Sequence, residues 1–172
     1  MPSVSCAIAL GSNLGDSLAI LKGAIKKLNQ HPHITVKACS SVYQTAPIGP
    51  PQPDYLNVCA VLETDLAPEE LLRTLLQIEL AFGRVRRERW GPRLLDLDLL
   101  LFGNIVLTTP TLQIPHPRMH DRAFVMVPLS EIAGNWQDPI SGKAIFQLAQ
   151  MVTHEGVQRL PDIQIAITDT NR

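Results

Sequence analysis

The chain has 172 residues, 45 % hydrophobic and 18 % charged, with a formal net charge of −1 and a mean hydropathy of +0.09. Such a chain folds and buries a core without staples, which excludes a disordered segment and disfavours a generally basic nucleic-acid binder. No apolar run reaches the roughly 18 residues of a membrane span, and Met1-Pro2-Ser3 before the apolar Val4–Leu10 lacks the basic charge and cleavage site of a secretory signal.

In chain order, Ser3–Leu10 alternates as a strand. Gly11-Ser12-Asn13-Leu14-Gly15-Asp16 reads as a turn or part of a pocket wall, because it lacks the Lys-Ser/Thr of a P-loop and the full GxGxxG pattern. Leu18, Leu21, Ile25 and Leu28 then predict a helix capped by Asp16 or Ser17. Ile34–Tyr43 is a second strand, and the prolines of Thr45–Asp54 impose a stiff loop. Tyr55–Thr64 alternates again, with Tyr55, Asn57 and Cys59 on one face. Pro68 opens a helix that Gly83 ends, its stripe being Leu71, Leu75, Ile78 and Phe82.

Leu94–Phe102 reads as a strand with a hairpin turn at Gly103-Asn104 leading into Ile105–Leu107. Asp121–Ala133 follows as a helix disturbed at Pro128, then a helix around Ala144–Val152 and a strand around Ile163–Ile167. Hairpins mixed with helices favour an α+β sandwich, mainly an antiparallel sheet with helices packed on one face. Cys6, Cys39 and Cys59 are odd in number and lack a CxxC or zinc spacing, so they are expected as free buried thiols in the cytoplasm.

Asp96 and Asp98 carry the sharpest chemical signal. Two carboxylates at i and i+2 share one face of an otherwise apolar strand, with Leu95, Leu97, Leu99 and Leu101 opposite. They repel unless a cation lies between them, and magnesium with bound phosphates suits that site. A solvated edge-strand face is the alternative of about equal weight for a lone DxD.

Upstream, residues 83–93 hold five of the fifteen basic residues (Arg84, Arg86, Arg87, Arg89 and Arg93) around Trp90. Arginine forks bind phosphate oxygens, and a polyphosphate with its magnesium needs both groups side by side. Tyr55 and Asn57 offer an aromatic face and an amide to a flat heterocycle. His116, between two prolines, precedes Arg122 and Phe124. His116 and His120 stand four apart, but Pro117 argues against one helix presenting both to zinc.

Together, Arg89-Trp90-Gly91-Pro92-Arg93-Leu94-Leu95-Asp96-Leu97-Asp98-Leu99-Leu100, Ala9–Gly15, Tyr43–Pro50, Pro53–Asn57, and Pro115-His116 through Arg122-Ala123-Phe124 resemble the 6-hydroxymethyl-7,8-dihydropterin pyrophosphokinases of folate biosynthesis. The resemblance spans roughly residues 5–133. It implies a ferredoxin-like α+β sandwich, with residues 1–172 forming one pterin pyrophosphokinase domain. It also implies magnesium-dependent transfer of pyrophosphate from ATP to the pterin hydroxymethyl group, with release of AMP.

By the same resemblance, Asp96 and Asp98 bind two magnesium ions. Tyr55 and Phe124 sandwich the pterin, Asn57 reads its edge, and Thr45 and Ile48 form its wall. Arg84, Arg86, Trp90 and Arg93 belong to a mobile loop over ATP, with Arg84 and Arg93 also serving the chemistry. His116 and Arg122 contact the ATP phosphates, and Glu79 lies on the nucleotide side. The implied protein is a cytoplasmic monomer whose partners are ATP and the pterin, with no nucleic acid or membrane. Pro117 departs from members with an aromatic after this histidine, which removes any stacking role there. The rivals are an RNA-binding module using the arginine loop and a DxD nucleotide-sugar transferase, whose usual fold needs a longer chain.

Overall fold

Where alternation is strict, strands form as expected. The computed structural model describes residues 2–13, 15–46, 51–82 and 94–167. β1 (Val4–Ser12) runs two residues beyond the expected strand and takes Gly11 and Ser12 into the ladder. α1 (Ser17–Gln30) begins where Asp16 accepts a 3.1 Å hydrogen bond from the Ala19 N–H, satisfying one unpaired amide of the first turn. The expected strand Ile34–Tyr43 is two strands, β2 (Ile34–Cys39) and β3 (Val42–Thr45). Both pair with the same side of β4 (Tyr55–Thr64), β2 along its C-terminal half and β3 along its N-terminal half.

Ser40 makes that change of partner workable. Its N–H donates to the Cys59 carbonyl at 2.9 Å, and its Oγ accepts from the Cys59 N–H at 2.9 Å, so a side chain replaces the missing ladder acceptor.

α2 (Pro68–Ala81) leads towards β5 (Asp96–Phe102), which pairs antiparallel with β1. Gly83 lies outside the described residues. The chain turns at Gly103, whose φ of 54° suits glycine. It does not return along β5 as a hairpin. Instead β6 (Leu107–Thr108) pairs with β7 (Gln113–Ile114) in a separate small sheet. The outer edge of β5 is already occupied at Leu97, whose N–H donates to Glu79 Oε2 of α2 at 2.7 Å.

A 3₁₀ turn at Met119–Asp121 precedes α3 (Ala123–Ala133), which contains Pro128. α4 (Ile145–Gln150) and β8 (Val157–Leu160) follow. The expected strand at Ile163–Ile167 is absent; Ile165 packs into the core without a ladder. The C-terminal strand is β8, paired with β3. The sheet order is β5-β1-β4-β3-β8, with β2 beside β4.

Helices cover both faces, not one. Cys6, Ile8, Leu10, Val58, Ala60 and Leu62 point to α1 and α2, whereas Ala7, Ala9, Cys59 and Val61 point to α3 and α4. Small side chains on the second face let helices pack against it closely. Leu101 also belongs to this second face, contrary to its expected place with Leu97 and Leu99. The β1–β5 register slips between Ala7 and Ile8, and the bulge turns Leu101 over.

All three cysteines are free. Burial pushes the Cys6 and Cys39 thiols up to about 12 and Cys59 well above its ordinary value, so they are protonated packing groups at neutral pH. No helix among the described residues is long and apolar enough to cross a membrane.

The serine at the β2–β3 junction gives a test. Ser40→Ala leaves the buried Cys59 N–H without its acceptor, and urea denaturation is expected to register a loss of about 1–3 kcal/mol. An unchanged unfolding midpoint counts against this role.

Candidate active site

The register of three strands assembles the site. Asp96 pairs with Gly11, and Gly11 pairs on its other side with Asn57, which pairs in turn with Tyr43. Residues in register share a face. One row therefore runs Asp96, Gly11, Asn57, Tyr43 across the α3 side of the sheet. The next row places Asp98 beside Ala9 and Cys59. Asp96 and Asp98 are half-buried, while Leu97 between them is buried on the opposite face. Two strand spacings set the Asp96 and Asn57 backbones about 10 Å apart.

Gly11 keeps the space between them open. A Cβ there would stand 3.1 Å from Asn57 Oδ1 and 3.6 Å from Tyr55 Cδ1. Sequence reading placed Gly11 in a turn or a pocket wall; its close approach to β4 becomes visible only with the strand register. Asn57 is buried, and its Nδ2 donates to Thr45 Oγ1 at 2.8 Å, so the expected wall residue Thr45 fixes the amide's orientation. Asn13, also missed, is buried at the end of β1. It donates from Nδ2 to Gln52 Oε1 at 2.7 Å and to the Pro53 carbonyl at 3.0 Å, tying the proline-rich segment beside Tyr55 to the sheet.

The far wall comes from the segment entering α3. His116 donates its backbone N–H to the Leu100 carbonyl at 3.0 Å, which places it beside β5. Its Nδ1 accepts from the Arg118 N–H at 3.2 Å, so the neutral ring carries its proton on Nε2 as a donor. Burial pushes the imidazole below its ordinary range; Asp98 pulls it upward, and Arg122 and Arg118 push it down. The Arg122 guanidinium lies 5.6 Å from the centroid of the Phe124 ring, in cation–π contact.

Glu131 joins this wall to the sheet. Its Oε2 accepts from the Ser41 N–H at 2.9 Å and the Ser41 hydroxyl at 3.0 Å, and its Oε1 accepts from the Tyr43 hydroxyl at 2.6 Å. Burial and the Glu131 carboxylate push the Tyr43 phenol above its ordinary value, so it remains a donor. Sequence spacing offered no sign of Glu131, because its partners lie ninety residues away.

The structure thus brings Asp96, Asp98, Asn57, Tyr55, Thr45, His116, Arg122 and Phe124 to one side of the sheet. Glu79 is 2 % exposed and works from the edge: its carboxylate holds the backbone N–H between the two aspartates. Ile48, Arg84, Arg86, Trp90 and Arg93 lie outside the described residues.

Among the described residues, no group of three or more His, Cys, Asp or Glu side chains forms a protein metal cage. The Asp96–Asp98 pair still fits a hard cation that takes its remaining ligands from phosphate and water, the usual arrangement for magnesium.

The edge contact predicts a graded response. Glu79→Ala strands a buried N–H and is expected to cost about 1–3 kcal/mol in urea denaturation, with Glu79→Gln recovering most of that loss because it keeps an acceptor. Equal losses in both variants would show that charge, not the hydrogen bond, is what the strand requires.

Comparison with known proteins bears on the same residues. The profile of the family described as "7,8-dihydro-6-hydroxymethylpterin-pyrophosphokinase (HPPK)" matches residues 7–134. The chain is 53 % identical over 145 residues to the 2-amino-4-hydroxy-6-hydroxymethyldihydropteridine pyrophosphokinase of Synechocystis sp., covering 84 % of this chain and 74 % of that protein. It is 43 % identical over 159 residues to the enzyme of the same description from Haemophilus influenzae, covering 92 % and 99 %. Among solved structures, a Plasmodium falciparum HPPK-DHPS (A437G with SDX-DHP) superposes with a TM-score of 0.72 at 13 % identity, over 91 % of this chain and 49 % of that one. This chain spans less than half of that solved chain, and at such identity the likeness concerns the fold alone. The family match over most of the chain and the two close relatives agree: the chain belongs to the 7,8-dihydro-6-hydroxymethylpterin pyrophosphokinase family.

Proposed function

We propose that this chain, as one domain over residues 1–172, transfers the pyrophosphoryl group of ATP to the hydroxymethyl oxygen of 6-hydroxymethyl-7,8-dihydropterin in folate biosynthesis. The alcohol oxygen forms a bond to the β-phosphorus, the bond from that phosphorus to the α,β-bridging oxygen breaks, and AMP leaves with the electron pair. The hydroxyl proton passes to solvent. The observation that carries this reading is the strand row in which Asp96 and Asn57 flank Gly11. It offers a polyphosphate end and a heterocycle end about 10 Å apart.

Asp96 and Asp98 are the residues that would hold two magnesium ions. Bound there, magnesium supplies positive charge that lowers the alcohol's pKa and offsets charge on the departing AMP. The remaining roles belong to the chain. Tyr55 and Phe124 hold the flat ring between them, and Asn57, oriented by Thr45, reads its edge, with Ile48 as further wall. His116 donates from Nε2, and Arg122 from its guanidinium, to phosphate oxygens. Arg84 and Arg93 stabilise the transferring group, and with Arg86 and Trp90 they close over ATP and exclude water. Glu79 serves the nucleotide side by holding the strand that carries the two aspartates. The protein works as a cytoplasmic monomer, and its protonated buried thiols are compatible with a reducing compartment.

Incubation with ATP, magnesium and the hydroxymethyl pterin is expected to release AMP in step with pterin diphosphate. Asp98→Ala is expected to lower that rate by about a thousandfold with an unchanged circular dichroism spectrum. A near-native rate removes the metal role. Gly11→Ala crowds Asn57 Oδ1 and is expected to weaken pterin binding by about tenfold, or ~1.4 kcal/mol, with ATP binding little changed. Titration calorimetry with each ligand decides this, and equal weakening of both overturns the assignment of Asn57 to the heterocycle.

A further inference from the structure

Asp138 lies outside every role described so far. It is 2 % exposed, in the turn between α3 and α4 where Gln137 bridges Ala144. The turn satisfies its backbone: the Asp138 N–H donates to the Lys143 carbonyl at 2.9 Å, and its carbonyl accepts from the Gly142 N–H at 2.8 Å. The turn also offers the Ser141 N–H to Oδ2 at 3.0 Å. Here Oδ1 is buried with no hydrogen-bond partner among the described residues. A buried carboxylate needs a positive partner.

The group that faces it comes from another element. His120 Nε2 lies 3.5 Å from Asp138 Oδ2, at ion-pair distance, and this buried nitrogen has no hydrogen-bond partner among the described residues. His120 occupies the 3₁₀ turn Met119–Asp121, the short stretch between His116 and Arg122. Met119 beside it is fully buried. Burial raises the Asp138 carboxyl, but the Ser141 hydroxyl and N–H, then His120 and the Ile140 N–H, hold it below its usual range. The buried His120 Nε2 thus approaches the Asp138 carboxylate on its Oδ2 side, the oxygen that Ser141 also holds.

We propose that Asp138 and His120 form a positioning pair that fixes the turn between His116 and Arg122, so that the segment after α3 sets the phosphate-binding side chains from behind. This rests on the reading of Arg122 and His116 as phosphate contacts. Neither Asp138 nor His120 touches the nucleotide in this scheme; both act through Arg122.

The test uses the full chain and a non-hydrolysable ATP analogue with magnesium, with nucleotide and pterin affinities measured separately by calorimetry. Asp138→Asn keeps an acceptor for Ser141 and is expected to retain the native melting temperature, yet weaken nucleotide binding about fivefold. Pterin affinity should stay within about twofold of native. His120→Gln should match it. Arg122→Ala should weaken nucleotide binding, and adding Asp138→Asn to it should cost nothing further. If Arg122→Ala alone is impaired while Asp138→Asn binds nucleotide normally, the positioning pair is overturned and the phosphate reading stands. If Arg122→Ala binds nucleotide normally, the phosphate reading fails and takes this proposal with it. Equal weakening towards nucleotide and pterin, or full additivity with Arg122→Ala, marks a general structural role and also overturns it.

Discussion

The antiparallel register of β5, β1 and β4 is the constraint on which the site depends. Side chains on adjacent strands meet only if they are in register, and a slip of one residue sends them to opposite faces. Asp96, Gly11 and Asn57 stand in one row because β1 is paired along its length on both sides. The bulge at Leu100 lies beyond the two aspartates, so it alters the direction of Leu101 without disturbing them. Burial of Ile8, Leu10, Val58 and Leu97 against α1 and α2 holds that register, because a slip would drive these side chains through to the other face.

Electrostatics adds a second requirement. Glu79, Asp96 and Asp98 converge on one short stretch of β5, with Glu79 buried. The hydrogen bond from the Leu97 N–H offsets part of the cost of desolvating Glu79. His116, Arg122 and Arg118 supply positive or donating groups on the facing wall. The site separates an acidic strand from a basic wall, a charge pattern that would favour one orientation of the polyphosphate in the proposed reaction.

Local chemistry made much of this legible in the sequence. The β4 limits, Tyr55–Thr64, follow from strict alternation after a proline-rich stretch, and Asp16 marks the start of α1 because its side chain can cap it. The shared face of Asp96 and Asp98 follows from strand geometry alone. Features set by distant partners were hidden. Ser40 divides one apparent strand into two through a bond to Cys59, and β8 has apolar residues only at its ends and no periodic signal. The helices Asp121–Ala133 and around Ala144–Val152 were legible, but their packing on a second face was not, because Ala7, Ala9 and Cys59 are small and give that face little apolar signal. Glu131 and the specific contacts of Gly11 and Asn13 were hidden because each acts on residues far along the chain.

The Glu131 carboxylate links the helix that carries Phe124 to the strand pair that carries Tyr55 and Asn57. Three hydrogen bonds between 2.6 and 3.0 Å leave little travel between those bodies. The separation between the helix that bears Phe124 and the strands that bear Tyr55 and Asn57 is therefore set by the fold itself. Under the proposed reading, a thin planar guest held between them would surrender its own freedom on entry, with little further loss from the protein, whereas a puckered one would strain a stiff frame.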